Sequence, residues 1–542
     1  MKKNIAIYDR YLSTAGGGER YSCKIAEVLS KKEGYDIDLI TDIYADLKEI
    51  SEKLNLDLSG VNLKVFPFIS EDYASRITRK YDLFINATYL SSLPAYGRKN
   101  IYLCYFPTPF DIDFKFIHKF LLIFFRRPAL WLFKAADSIG RGFSELEIEE
   151  GLYEPRKFLL RRGSWSSGRA RLKFRVSGNR LKLGLKNPAV SKVDLMRVNI
   201  RVYEEDKKEE KLFYSRDITL RKGAGEIVEI PAGTPDKPKI ILISSDTFAP
   251  SDIGESSGDS RRLGVVVYNY SKMAFLRRII LRILGYIPLF LVTYPANLEF
   301  LDTYHKIITI SEYSKKWLRK KWKRESDILY PPVDIDSFKV KTKKKIILSV
   351  GRFFPEHHNK KQLEMVRVFR QLIDENPEEM RGYTLYLTGG VSRRAGHLEY
   401  VKKVMEESRG YPVRVITNIE WRKLVEIFGS SFIFWHASGT GEDEEAHPEK
   451  FEHFGITTVE AMAAGCIPVV IDKGGQKEII KNGYNGFLFS SWEELKSRTL
   501  DIVNGKVDTG KIRKNASESC RRFSGERFED ELKSMVNRII KE

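Results

Sequence analysis

Residues 451–468 read Phe-Glu-His-Phe-Gly-Ile-Thr-Thr-Val-Glu-Ala-Met-Ala-Ala-Gly-Cys-Ile-Pro, with seven residues separating the carboxylates of Glu452 and Glu460. Thr457 followed three positions later by Glu460 has the form of a capping box. Helix formers follow at Ala461, Met462, Ala463 and Ala464, Gly465 is a stop, and Cys466 to Asp472 reads as a buried strand. On this pattern Glu452 lies just outside a helix N-terminus and Glu460 inside its first turn. The unpaired amides of Phe454, Gly455, Ile456, Thr457 and Thr458 then face whatever anion lies in front of them. An ionised carboxylate accepts two hydrogen bonds at once, so each Glu is able to clamp a vicinal diol. The arrangement suits a sugar nucleotide, one Glu on the ribose and the other on a second sugar. It also fits a plainer reading in which Glu460 caps its helix and Glu452 is solvated.

Working outward, residues 4 to 9 predict the first strand of a doubly wound sheet, and Gly16-Gly17-Gly18-Glu19-Arg20 opens a helix behind it. Glycines at such a turn let backbone amides approach a phosphate, although three glycines also make an ordinary turn. Strands near Ile37 to Thr41, Leu83 to Ala87 and Ile101 to Tyr105 continue the alternation of strand and helix, and Ile307 to Ile310 adds another. A second such unit begins at Lys345 to Arg352, with Lys360 in the loop before a helix from about Gln362 to Ile373.

The Glu452-x7-Glu460 string, Gly474-Gly475-Gln476-Lys477-Glu478 and the linker Tyr330-Pro331-Pro332-Val333-Asp334 together resemble glycosyltransferase family four, the retaining transferases of GT-B fold. The resemblance implies an α/β protein with two Rossmann-like domains facing a cleft. It places Gly17 and Gly18 opposite the donor phosphates. It implies that Arg352 and Lys360 stabilise the departing nucleoside diphosphate, with Lys361 as a substitute for Lys360 because His357, His358 and Asn359 lengthen the loop. Glu452 is implied to be catalytic. Thr417 is implied beside the base, and Phe454, Gly455, Ile456, Thr457 and Glu460 on the donor. His436 or His453 is a candidate sugar contact, and a structural histidine fits equally. Where some relatives carry a His after the strand at 101–105, this chain has Leu103-Cys104-Tyr105-Phe106-Pro107, which removes one expected sugar contact.

Between about 152 and 270 the period switches to two, as in Arg169 to Val176 and Arg197 to Val202. This predicts an antiparallel β-sandwich of roughly eight strands inserted in the first domain, similar to jelly-roll modules attached to glycosyltransferases. The expected boundaries are 1–150 and 271–338 for the N-terminal domain and linker, 151–270 for the insert, 339–515 for the nucleotide-sugar domain, and 516–542 for a C-terminal helix packing back on the N-terminal domain. Two apolar, cationic stretches flank the insert, Phe114 to Phe133 and Met273 to Tyr294. Their uncharged runs are too short to span a bilayer, so each reads as a helix lying at an anionic membrane surface or as a core helix.

The 542 residues include 92 Lys and Arg against 73 Asp and Glu, a net charge of +19 that favours anionic partners. Without a nucleic-acid motif or basic tail, nucleic acid ranks last. Cys23, Cys104, Cys466 and Cys520 lack metal-ligand spacing, and no cleavable signal pattern precedes the first strand, which suggests a cytoplasmic setting. Asp111-Ile112-Asp113 and Asp334-Ile335-Asp336 are read as coincidental, and no metal or other cofactor is expected, since Arg352 and Lys360 supply the charge. The expected enzyme moves a hexose, preferably mannose from GDP-mannose, to a lipid-linked glycan. A UDP-hexose donor with a soluble acceptor, or a non-catalytic glycan-binding protein, are the alternatives.

Overall fold

The computed structural model describes residues 2–14, 16–41, 45–65, 77–111, 114, 116–140, 146–152, 164–174, 180–206, 209–231, 239–248, 262–269, 291, 294–295, 297–356, 359–392 and 395–541. They form two compact units, Met1–Tyr102 with Pro109–His305, and Leu103–Thr108 with Lys306–Glu542. The division falls at 305/306, so residues 306–338 and the C-terminal helix are counted with the second unit.

The first unit opens with β1 (Lys3–Tyr8), α1 (Gly17–Ser30), β2 (Tyr35–Thr41), α2 (Leu47–Leu54), β3 (Val61–Val65), β4 (Leu83–Asn86) and β5 (Lys99–Cys104). The strands are parallel in the order β3-β2-β1-β4-β5. Ile5, Ala6, Ile7, Leu39, Leu83 and Phe84 are buried, as central parallel strands covered on both faces require. β3 carries Asn62 and Lys64 between its apolar residues, which hides it from a reading based on continuous apolar runs.

A helix, α3 (Phe116–Gly140), leads to eight strands: β6 (Leu146–Leu152), β7 (Ser164–Phe174), β8 (Arg180–Lys186), β9 (Leu195–Asp206), β10 (Glu209–Arg221), β11 (Gly225–Pro231), β12 (Lys239–Ser245) and β13 (Val266–Asn269). They pair antiparallel as β10-β9-β12-β7-β6 and β11-β8-β13, and β7 joins both rows. Inward residues of both rows make one core, including Leu172, Leu183, Val198, Ile200, Val228, Ile241 and Val267. The two-residue period thus encodes one apolar and one charged face per strand. Residues 153–163, 175–179 and 249–261, within the expected insert, lie outside the described residues.

Over residues 116–132 α3 does not have the burial of a core helix. Phe116, Ile123 and Trp131 are 85, 75 and 68% exposed, and Ile117, Phe120, Phe124 and Phe125 are exposed as well. The second apolar stretch, Met273 to Tyr294, lies almost wholly outside the described residues. No described helix is long and apolar enough to cross a membrane.

The second unit begins with β14 (Lys306–Thr309), α4 (Glu312–Trp322) and β15 (Asp327–Ile328). Its main sheet is built from β16 (Lys344–Val350), α5 (Gln362–Glu375), β17 (Thr384–Gly389), α6 (Ala395–Glu407), β18 (Val413–Thr417), α7 (Trp421–Ser430), β19 (Ser431–His436), α8 (Ile456–Ala463), β20 (Ile467–Ile471), α9 (Gln476–Ile479) and β21 (Phe487–Phe489), and α10 (Trp492–Val503), α11 (Thr509–Ser519) and α12 (Gly525–Lys541) complete the unit. All pairs are parallel, in the order β18-β17-β16-β19-β20-β21. The order reverses between β16 and β19, and the crevice beyond their carboxyl ends is where an open α/β sheet takes its ligands.

Candidate active site at the β16/β19 crevice

The loop after β16, the last residue of β19 and the loop that follows it bring Lys360, His436 and Glu452 together. Lys360 Nζ donates to Glu452 Oε2 at 2.6 Å, and His436 Nε2 lies 2.9 Å from the same oxygen. Both bonds fall on Oε2, so Oε1 takes none from a described residue. Burial works to raise the Glu452 carboxyl, but the Lys360 charge and the bonds from His436 and Lys360 outweigh it and hold the group well below the usual range. Burial pushes His436 below its ordinary value despite the neighbouring carboxylate, so a neutral ring donates through Nε2. Its Nδ1 is buried with no hydrogen-bond partner among the described residues.

Glycines make the convergence sterically feasible. A Cβ on Gly351 would sit 2.6 Å from Lys360 Cγ, and one on Gly474 would sit 2.6 Å from the Glu452 carbonyl oxygen. Gly475 N donates to that carbonyl at 2.7 Å, so the Gly474-Gly475 turn supports Glu452 from below. Glu478 accepts from the amides of Glu312 and Tyr313 and from Tyr330 Oη, so it satisfies the first two amides of α4, while Ser311 is the N-cap and accepts from Ser314 N.

The junction at 455–460 differs from the expected capping box. α8 starts at Ile456, its N-cap is Gly455 at φ 118°, and no side chain caps it. Only glycine tolerates that φ, and a Cβ there would meet Gln476 Nε2 at 2.7 Å. Thr457 is consequently a helical residue and Glu460 lies one turn inside, with 7% exposure. The expected stop holds: Gly465 at φ 71° and the bonds Cys466 N to Ala461 O and Gly465 N to Met462 O form a Schellman motif. Phe454 is buried against Tyr330 and Phe523, with ring centroids 5.7 and 5.1 Å away.

Arg352 is exposed behind Gly351, its guanidinium 5.7 Å from the Phe354 ring. Lys361 does not substitute for Lys360. At φ 59° it turns the other way, and its Nζ donates to Glu442 Oε1 at 2.8 Å. Thr417 ends β18, followed by Asn418 at φ 52°, whose Oδ1 accepts from Val391 N at 2.9 Å. His453 stacks on Phe106, ring centroids 4.0 Å apart and planes 4° from parallel, so the residue standing near the expected histidine position packs against this histidine. Trp435 is a core residue, its Nε1 donating to Thr499 Oγ1 at 3.1 Å. Gly17 and Gly18 begin α1 in the first unit, where Glu19 Oε2 accepts from Gly16 N at 2.7 Å.

Among the described residues no group of three His, Cys, Asp or Glu is placed to hold a metal ion. Asp334 accepts from Ser337 Oγ and Asp111 pairs with Lys119, while residues 112 and 113 lie outside the described set. All four cysteines are buried and unpaired.

Residues 332–522 match the family described as Glycosyl transferases group 1. The GDP-Man:Man(3)GlcNAc(2)-PP-Dol alpha-1,2-mannosyltransferase of Dictyostelium discoideum is 26% identical over 257 residues, 45% of this chain and 49% of the relative. The alpha-1,3/1,6-mannosyltransferase ALG2 of Rhizomucor pusillus is 28% identical over 244 residues, 39% of this chain and 51% of the relative. The chain thus spans about half the length of the curated relatives it matches. The crystal structure of a glycosyltransferase from Rickettsia africae ESF-5 aligns over 100% of this chain and 99% of that one, with 12% identity and a TM-score of 0.50. The fold is GT-B, as the linker and carboxylate motifs implied.

Proposed function

We propose that the chain is a retaining glycosyltransferase that moves a hexose from a nucleoside diphosphate sugar, GDP-mannose before a UDP-hexose, to a lipid-linked glycan at a membrane surface. The observation that carries the reading is the Lys360–Glu452–His436 cluster. One oxygen of an ionised carboxylate is anchored twice and the other is left to accept from a substrate hydroxyl. The naming of GDP-Man in the Dictyostelium relative favours mannose as the sugar.

In the reaction the anomeric carbon–oxygen bond breaks and its electron pair passes to the diphosphate oxygen. Arg352 and Lys360 supply the positive charge that this oxygen needs, in a partly enclosed crevice where charge is worth more than in water. The acceptor hydroxyl attacks from the same face and gives its proton to the departing phosphate. Glu452 orients the transferred sugar, Glu460 the ribose, and the amides at Gly455, Ile456 and Thr457 meet negative charge at the N-terminus of α8. Gly17 and Gly18 are placed by the resemblance opposite the phosphates, and Thr417 beside the base. Charge from Arg352 and Lys360 makes a divalent ion unnecessary in this scheme.

For the membrane surface the support is α3. Phe116, Phe120, Ile123, Phe124 and Trp131 recur at helical spacing on its exposed side, with Lys119 and Arg127 among them. Apolar burial plus attraction to anionic headgroups favours such a helix lying in the interface, on the cytoplasmic side if the setting is cytoplasmic.

Donor hydrolysis and thermal shift across GDP-mannose, UDP-glucose, UDP-GlcNAc and UDP-galactose, with EDTA present and Glu460→Gln as control, test the reading. A shift and turnover with one donor, lost in the variant, is expected; no response to any donor overturns it. Cosedimentation with phosphatidylserine vesicles, weakened at least tenfold by Phe120→Ser with Ile123→Ser, is expected for the membrane arm, and unchanged partition would favour a soluble acceptor.

A further inference from the structure

We propose that Glu442 is a positioning residue for Lys360 and Glu452, holding the loop that carries one against the loop that carries the other through ion pairs to Lys361 and Lys450. The proposal rests on the site reading above and adds a second layer behind it. Glu442 Oε1 accepts from Lys361 Nζ at 2.8 Å and Oε2 from Lys450 Nζ at 2.7 Å. Lys361 is the neighbour of Lys360, and Lys450 stands two residues before Glu452. Two clusters of the same form therefore lie side by side, each a carboxylate shared by two nitrogen donors, one open to a substrate and one closed on itself.

Three further observations make this a built feature. Lys361 sits at φ 59°, a conformation disfavoured for a side-chain-bearing residue, and Asn359 Oδ1 holds its amide there at 2.6 Å. That turn sends consecutive lysines apart, Lys360 to Glu452 and Lys361 to Glu442. Ser438, fully buried, bridges the same two segments, its Oγ 3.2 Å from the Asn359 carbonyl and 3.4 Å from that of Lys450. The side chains of Lys361, Glu442 and Lys450 are 15, 25 and 27% exposed, less than an ordinary surface network. Burial works to raise the Glu442 carboxyl, yet the bonds from Lys361 and Lys450 bring it down to about 2, which keeps it charged at neutral pH.

A merely structural ion cluster would change stability. A positioning cluster changes turnover, because a displacement of a cation by a fraction of its contact distance removes charge stabilisation at the leaving oxygen. In Glu442→Gln and in Lys361→Met we expect kcat for the preferred donor to fall about tenfold or more. KM should stay within about threefold, and the double variant should fall no further than Glu442→Gln alone, because Lys361 acts through its contact with Glu442. Lys361→Arg, which keeps the cation, should recover most of the rate. Wild-type kcat in Glu442→Gln, or a double variant whose loss is the product of the two single losses, overturns the proposal. So does a loss of kcat accompanied by loss of cooperative unfolding in both single variants. Amide exchange gives a reading independent of turnover: residues 359–361 and 441–452 should exchange faster in Glu442→Gln, with α10 and β20 unchanged. If the wild-type protein turns over no donor while exchange responds as expected, the site reading fails and the clamp stands. An active wild type with exchange unchanged in the variant refutes the clamp alone.

Discussion

Two carboxyl groups occupy comparable places in the two sheets and end in opposite electrostatic states. Asp9 follows β1 and Glu452 lies beyond β19, each at a crevice where the strand order of a doubly wound sheet reverses. Both carboxyls are enclosed. Asp9 accepts from Ser22 Oγ and Tyr11 N and has Glu19 nearby, so burial raises it to about 7. Glu452 experiences the same penalty but has an ammonium at 2.6 Å, and it is held well below the usual range. Identical topology provides the enclosure, and one side chain decides which protonation state occupies it.

The largest expected effect comes from making the second site like the first. In Lys360→Met, donor turnover should fall about a hundredfold to a thousandfold, as when a preorganised charge is removed from a leaving oxygen. Stability should drop by about 2 kcal/mol, less than for a fully buried pair because each side chain keeps about a fifth of its surface exposed. The pH dependence should also change sign. With Lys360 present, the lowered carboxyl of Glu452 contributes stability above its unfolded value that is lost as pH falls. Without it burial dominates, and stability is lost as pH rises instead. Urea melts of wild type and variant between pH 4 and 8 would show this, and parallel curves would sink it.

The converse experiment is Asp9→Asn. A carboxyl raised from 3.8 to about 7 contributes stability that is complete below about pH 4 and is lost as pH rises toward 7. The variant should therefore gain on wild type by up to about 4 kcal/mol across that window, measured by urea unfolding at stepped pH. A constant difference would mean that Asp9 is ionised throughout.

Smaller effects separate the two glycine-bearing helix starts. Gly455→Ala forces a side chain into φ 118° against Gln476 and should cost about 2 kcal/mol in thermal unfolding. At Gly17 a Cβ meets nothing within 4 Å, so Gly17→Ala should leave the protein as stable or gain about 0.5 kcal/mol. Loss of donor turnover in that stable variant would then report a ligand approaching the backbone, and full turnover would remove Gly17 from the site.

The legible parts of this molecule are those written in periodicity and in short-range chemistry. β1, β14, β16 and β20 fell within a residue or two of the expected strands, because buried parallel strands are continuous apolar runs. β7 and β9 were readable as half-buried strands from the alternation of Arg with apolar residues. The capping box misled, because Gly455 turns the chain into the helix through its backbone alone and leaves Thr457 nothing to cap. Lys361 misled for a related reason: adjacent lysines are equivalent in a sequence, and only the φ of 59° separates them. Glu442 stands in the acidic run Glu442 to Glu445, and nothing near it in the sequence signals its partners, since Lys361 is 81 residues away along the chain.

The sequence by itself determined the class of fold, the alternation of the inserted strands, and the spacing of Glu452 and Glu460, since each depends on neighbours within about one turn or one strand. Tertiary structure alone decided that Lys360 and His436 share one oxygen of Glu452, that Lys361 faces away, and that Asp9 is held near protonation. Burial and charge pairing are sums over groups distant in the chain, and a pKa or an ion pair exists only once folding has brought those groups together.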